Sequence, residues 1–142
     1  MKIAQRSIVT SSLIFTSLAL AGSSLASSFP LDEITVNHQS RGVISLKELD
    51  RGRWNIDCQY RVIGMEPSSG NPLAVSIHGS YYGNSDEVMV SGSGYTPNGL
   101  TASSGTLKIN NVLRDGMVGS VSFDNYDSIG DLIVFNCTAW KF

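Results

Sequence analysis

The stretch Arg53–Val62, RWNIDCQYRV, alternates without a break. Trp54, Ile56, Cys58, Tyr60 and Val62 share one parity, and Arg53, Asn55, Asp57, Gln59 and Arg61 share the other. A period of two over that length means a strand with one buried face and one wet face. Cys58 therefore faces a core. The only other cysteine, Cys137, sits in a second strand-like run, DLIVFNCTAW, at Asp131–Trp140. That run is apolar on both parities: Ile133, Phe135, Cys137 and Ala139 on one, Leu132, Val134 and Trp140 on the other. The expectation is a strand inside a sheet with both faces covered.

Whether two such thiols pair depends on the compartment. The N-terminus carries Lys2 and Arg6, then the uncharged run SIVTSSLIFTSLALA, then small residues ending at Ser24-Leu25-Ala26. This is the order of a secretory signal peptide, with cleavage expected after Ala26. The apolar run is interrupted by Ser and Thr and is shorter than the roughly 20 residues of a membrane span. The sequence thus predicts export to a periplasm or to the outside, in a leader style that reads as bacterial. Disulfides persist there, and two cysteines can pair in only one way. A Cys58–Cys137 bridge closes about 80 residues, worth on the order of 4–5 kcal/mol by loop-closure entropy. A reactive or metal-binding pair would need Cys-x-x-Cys spacing or a nearby histidine, and neither is present.

Residues 27–142 amount to one domain. The whole chain carries a formal charge of −2, and loss of Lys2 and Arg6 with the leader makes the mature part more acidic. Its cations are dispersed, which excludes the clustered charge of a nucleic-acid surface. No second apolar stretch is long enough to span a bilayer.

Further strand-like runs are EITVNH (Glu33–His38), GVISL (Gly42–Leu46), LAVSIHG (Leu73–Gly79), EVMVSG (Glu87–Gly92), TLKINNVL (Thr106–Leu113) and MVGSVSF (Met117–Phe123). Ser45 and Glu48 have capping-box spacing, so at most one short turn of helix or 3₁₀ is expected near residues 46–51. Asp115-Gly116 between two strand-like runs predicts a hairpin. About eight short strands separated by turn chemistry predict an all-β domain, an antiparallel β-sandwich of Greek-key or jelly-roll type. An immunoglobulin core is not supported, because Trp54 precedes Cys58 and Trp140 follows Cys137.

Chemistry-bearing constellations are sparse. The histidines are His38 and His78, placed at a strand end or on outward parity, and no G-x-S-x-G motif occurs. Asp124, Asp127 and Asp131 share one loop and are the weak candidates for calcium, although their spacing is not that of an EF-hand. Zinc has no Cys/His cluster, glycine-rich phosphate loops are absent, and no residue set asks for a cofactor. Asn136-Cys137-Thr138 matches a glycosylation sequon, but a central strand is a poor acceptor.

Tyr81, Tyr82, Tyr95 and Tyr126 fall in or beside turns rich in Gly, Ser and Asn. That mixture suits binding loops: large amphipathic contacts with adaptable hydrogen bonds. The sequence therefore favours an exported, non-enzymatic binding or structural module that contacts a protein or a glycan. A second reading is a subunit of a surface fibre or adhesin, in which Ser27–Val36 supplies an added strand to a neighbour. A third is a small secreted hydrolase whose site is assembled from distant segments.

Overall fold

The computed structural model describes residues 28–81, 84–114 and 119–142. Its secondary structure is all strand and turn. In chain order the strands are β1 Ser28–Leu31, β2 Ile34–Val36, β3 Ser40–Ser45, β4 Gly52–Ile63, β5 Val75–Tyr81, β6 Asn84–Glu87, β7 Met89–Ser91, β8 Tyr95–Thr96, β9 Gly99–Leu100, β10 Ser104–Arg114, β11 Ser120–Asn125 and β12 Asp131–Lys141. The expected leader, residues 1–26, lies outside the described residues.

Two antiparallel sheets form a sandwich. A six-stranded sheet runs β1-β12-β4-β10-β7, with β2 also on β12, and a four-stranded sheet runs β3-β11-β5-β6. Between them lie Trp54, Ile56, Tyr60, Leu107, Ile109, Leu132 and Val134 from the larger sheet and Ile44, Val75, Ile77, Val121 and Phe123 from the smaller, all buried. The alternation read from β4 is the one observed: its even residues from Trp54 to Val62 point into this core. Cys58 and Cys137 form a disulfide across the adjacent strands β4 and β12, with a sequence separation of 79.

The described residues hold twelve strands, six of them pieces of two to four residues, in line with a sandwich of about eight principal strands. The single turn expected after β3 is present as a turn closed by Leu49 N–H donating to Leu46 C=O at 3.0 Å, without a helix. Burial of Leu46 and Leu49, together with a Trp54 Nε1–H bond to Asp50 C=O at 3.0 Å, fixes its shape. Two other expectations are corrected. The strands flanking Asp115-Gly116 do not form a hairpin. β10 pairs with β4 and β7, and β11 with β3 and β5, so this connection carries the chain between sheets. The turn residues 115–118 themselves lie outside the described residues.

The second correction concerns β12. Its apolar residues on both parities do not mean two covered faces. Phe135 pairs with Gln59 and Thr138 with Asp57, so Asn136 and Cys137 together oppose Cys58. This is a β-bulge, and it reverses the parity of everything after it. Leu132 and Val134 point inward before the bulge, Cys137 and Ala139 after it. β10 does the same on the other side of β4, where Asn110 and Asn111 oppose Asn55. Asn111 and Asn136 have φ of 64° and 49°. Asparagine tolerates that left-handed conformation better than other side chains with a Cβ.

Candidate functional site

The bulge in β12 decides what the outer face of the larger sheet presents. Counting in steps of two from Leu132 and Val134 would send Trp140 into the core. The extra residue at Asn136 turns it outward, where it is 41% exposed. Around it stand Thr138 and Asn136 of β12, Asp57 and Gln59 of β4, and Thr106 and Lys108 of β10, which line a hollow of about 300 Å³. The face is flat, polar and partly held in place. Asn136 Nδ2–H donates to Gln59 Oε1 at 2.9 Å. On the second bulge, Arg53 Nη1–H donates to Asn111 Oδ1 at 2.8 Å, and Asn55 Oδ1 accepts from Asn111 N–H at 3.2 Å. The bulges thus orient β4's outward amides, and a tryptophan stands at the edge of the array.

The outer face of the smaller sheet carries a second polar group. Asp124, buried on the central strand β11, pairs with the guanidinium of Arg41 on β3 through two hydrogen bonds. His78 Nε2 of β5 lies 3.6 Å from Asp124 Oδ2, the oxygen that also accepts from Arg41 Nη2. The Arg41 hydrogen bonds hold the Asp124 carboxyl below the usual carboxylate range, with His78 a lesser contributor. Ser122 is the direct cross-strand neighbour of His78. Serine, histidine and aspartate therefore meet here, but on a strand paired on both sides. Its backbone is committed to ladders with β3 and β5 on either side.

Tyr95 and Tyr126 line different features. Tyr126 follows β11, is 62% exposed, and shares a shallow hollow with Gln39, Arg41 and Asp124. Tyr95 is partly buried against the core, and burial pushes its phenol pKa up. It lines a different feature, an open groove of about 1120 Å³ between β5 and the segment Val88–Gly92. Tyr81 ends β5 and pairs with Asn84 through the backbone, and Tyr82 lies outside the described residues.

The three aspartates considered for calcium are engaged separately. Asp124 is held by Arg41. Asp127 Oδ1 accepts from the N–H groups of Ile129 at 2.9 Å and Gly130 at 3.0 Å. Asp131 Oδ1 accepts from His38 N–H at 2.7 Å and lies 2.9 Å from His38 Nδ1, which lowers the Asp131 pKa. Among the described residues no group of three His, Cys, Asp or Glu side chains is placed to hold a metal ion.

Sequence reasoning overlooked Trp140 as a surface residue. The signal was present as a conflict. An antiparallel chain rarely covers both faces of a strand, so apolar residues on both parities point to a bulge between them.

Comparison with protein-family models, with curated proteins and with solved structures gave no match to this chain. The fold and its polar faces define the class as far as it goes: a disulfide-closed antiparallel β-sandwich.

Proposed function

We propose that the protein is an exported, non-enzymatic binding module that holds a glycan on the outer face of its larger sheet. The observation that carries this reading is the β12 bulge, which takes a tryptophan off core parity and stands it among Asp57, Gln59, Lys108, Asn136 and Thr138. A sugar ring has an apolar C–H face and a rim of hydroxyls. An exposed indole offers a flat apolar surface to the first, and amides, a carboxylate and an ammonium offer hydrogen bonds to the second. The shallow hollow suits one or two rings of a chain lying along the sheet. Export is supported by the leader-like N-terminus and by a disulfide that requires an oxidising compartment.

The test is a glycan array probed with the mature protein and with Trp140→Ala. The substitution should weaken binding to any captured glycan by about tenfold or more, a difference of ~1.4 kcal/mol. Because Trp140 is exposed, the melting temperature should change little. Retention by Trp140→Ala with loss by Tyr126→Ala would instead place the site at the loop tyrosine.

A further inference from the structure

The N-terminal strand is attached to the domain in an unusual way. β1 pairs with β12 from Ser28↔Trp140 to Leu31↔Cys137, and β2 pairs with β12 from Ile34↔Val134 to Val36↔Leu132. The register is the same in both, so Ser28–Val36 is one ribbon along β12, interrupted only at Asp32 and Glu33. Those two residues lie opposite Phe135 and Asn136, where the bulge of β12 begins. The ribbon is the edge of the larger sheet, and among the described residues no strand pairs with its other side. Pro30, which cannot donate to a ladder, fits such an edge.

The ribbon belongs to the core. Val36 is fully buried, and Leu31 and Ile34 pack against the buried cluster. β12 could not be left without it. Yet it joins the rest of the chain only through Asn37, His38 and Gln39, all exposed, which cross from the larger sheet to β3 of the smaller. Gln39 sits at φ 51°, a left-handed conformation that favours glycine or asparagine. The turn is fastened by Gln39 N–H to Asp127 C=O at 3.0 Å, Ser40 Oγ to Asn37 C=O at 2.6 Å and His38 to Asp131. A short, strained connection at the end of a terminal edge strand is the arrangement that invites strand exchange.

We propose that copies of this chain exchange this ribbon, Ser28–Val36 of one copy lying on β12 of another. Every side-chain contact and ladder bond of the ribbon is regained in the receiving copy, because groove and ribbon are identical. Only the connection at 37–39 changes, and opening it relieves Gln39. Reciprocal exchange closes a dimer, and one-way exchange builds a chain. Ser28 is the cross-strand neighbour of Trp140, so each exchanged ribbon would flank the other copy's exposed tryptophan and place such faces in a row. The inference does not depend on what those faces bind.

The experiment uses the mature chain in two singly substituted, differently tagged forms, Thr35→Cys and Ile133→Cys, positions that face each other across β2 and β12. They are mixed at high concentration, incubated and oxidised. A covalent heterodimer at least about fivefold above a Ser69→Cys plus Ile133→Cys control is expected. A double variant that closes its bridge within one chain, while the mixed single variants stay at the control level, would overturn exchange. A dye-labelled peptide spanning Ser28–Val36 gives an independent reading. It should co-elute with the unmodified mature chain after long incubation, and its Val36→Asp form should not. Equal behaviour of the two peptides would also overturn the proposal.

Discussion

Asn125 is buried at the end of β11 and ties three segments together. Its Nδ2 donates to Gly130 C=O at 2.8 Å and to Val36 C=O at 3.3 Å, and its Oδ1 accepts from Asp127 N–H at 3.0 Å. An apolar side chain there would leave these backbone groups without partners inside the protein. Asn125→Leu should cost about 2–4 kcal/mol, read as a fall of roughly 10 °C or more in melting temperature. A melting temperature within a degree or two of the parent would refute the assignment. The acid response belongs to two other side chains. Arg41 lowers the pKa of Asp124, and His38 lowers that of Asp131. A carboxyl depressed in the fold stabilises it above the ordinary carboxylate pKa of 3.8, and that contribution disappears as pH falls through the folded value. Between about pH 5 and pH 2 the melting temperature of Asp124→Asn should fall less steeply than that of the parent. Equal slopes would remove Asp124 from the account. None of these partners was legible in the sequence. Asp124, Asp127 and Asp131 read there as one loop cluster, because their separate partners lie 83 and 93 residues away for two of them and in the local backbone for the third.

The strands show where sequence reading succeeds and where it stops. β4 was legible throughout, since alternation over an unbroken ladder maps one residue to one face. The pattern of β10 and β12 was scrambled by a single extra residue in each, at Asn111 and at Asn136. A bulge leaves no mark on composition, only a parity break that looks like apolar residues on both faces. The candidate site was missed for the same reason, because Trp140 looked like core. This makes the bulge testable. Deleting Asn136 removes the extra residue alone: Cys137 then follows Phe135 directly and opposes Cys58, and Cys137, Ala139 and Trp140 keep the faces they have now. The deletion variant should therefore still close its Cys58–Cys137 bridge, giving no alkylatable thiol under non-reducing conditions, and its Trp140 should stay open to an aqueous fluorescence quencher. Two alkylatable thiols in the deletion variant would overturn a one-residue bulge at Asn136.

Across the whole molecule, most strands of the two large sheets have partners distant in the chain, the β5–β6 pair being an exception. β4 waits for β10 and β12, and β3 waits for β11. Such pairing must meet loop-closure entropy before it gains any burial, and it folds slowly. The expected hairpin at Asp115-Gly116 would have supplied one cheap local contact. The observed crossing between sheets removes it, since a two-residue turn signal cannot tell whether the next strand pairs with the last or passes to the other sheet. The Cys58–Cys137 bridge compensates by joining β4 to β12, distant partners at the centre of the larger sheet. By loop-closure entropy it contributes about 4–5 kcal/mol, a large part of the stability of a domain this size. Cys58→Ala/Cys137→Ala should therefore unfold in urea at a midpoint lower by about 2 M, taking a slope near 2 kcal/mol per molar. The parent with reductant throughout should behave in the same way. Both cysteines are buried, so the alanine pair also loses some packing, and the reduced parent separates that loss from the cross-link. If reduced and oxidised parent unfold together, the bridge is a passenger, and the sandwich stands on its apolar core alone.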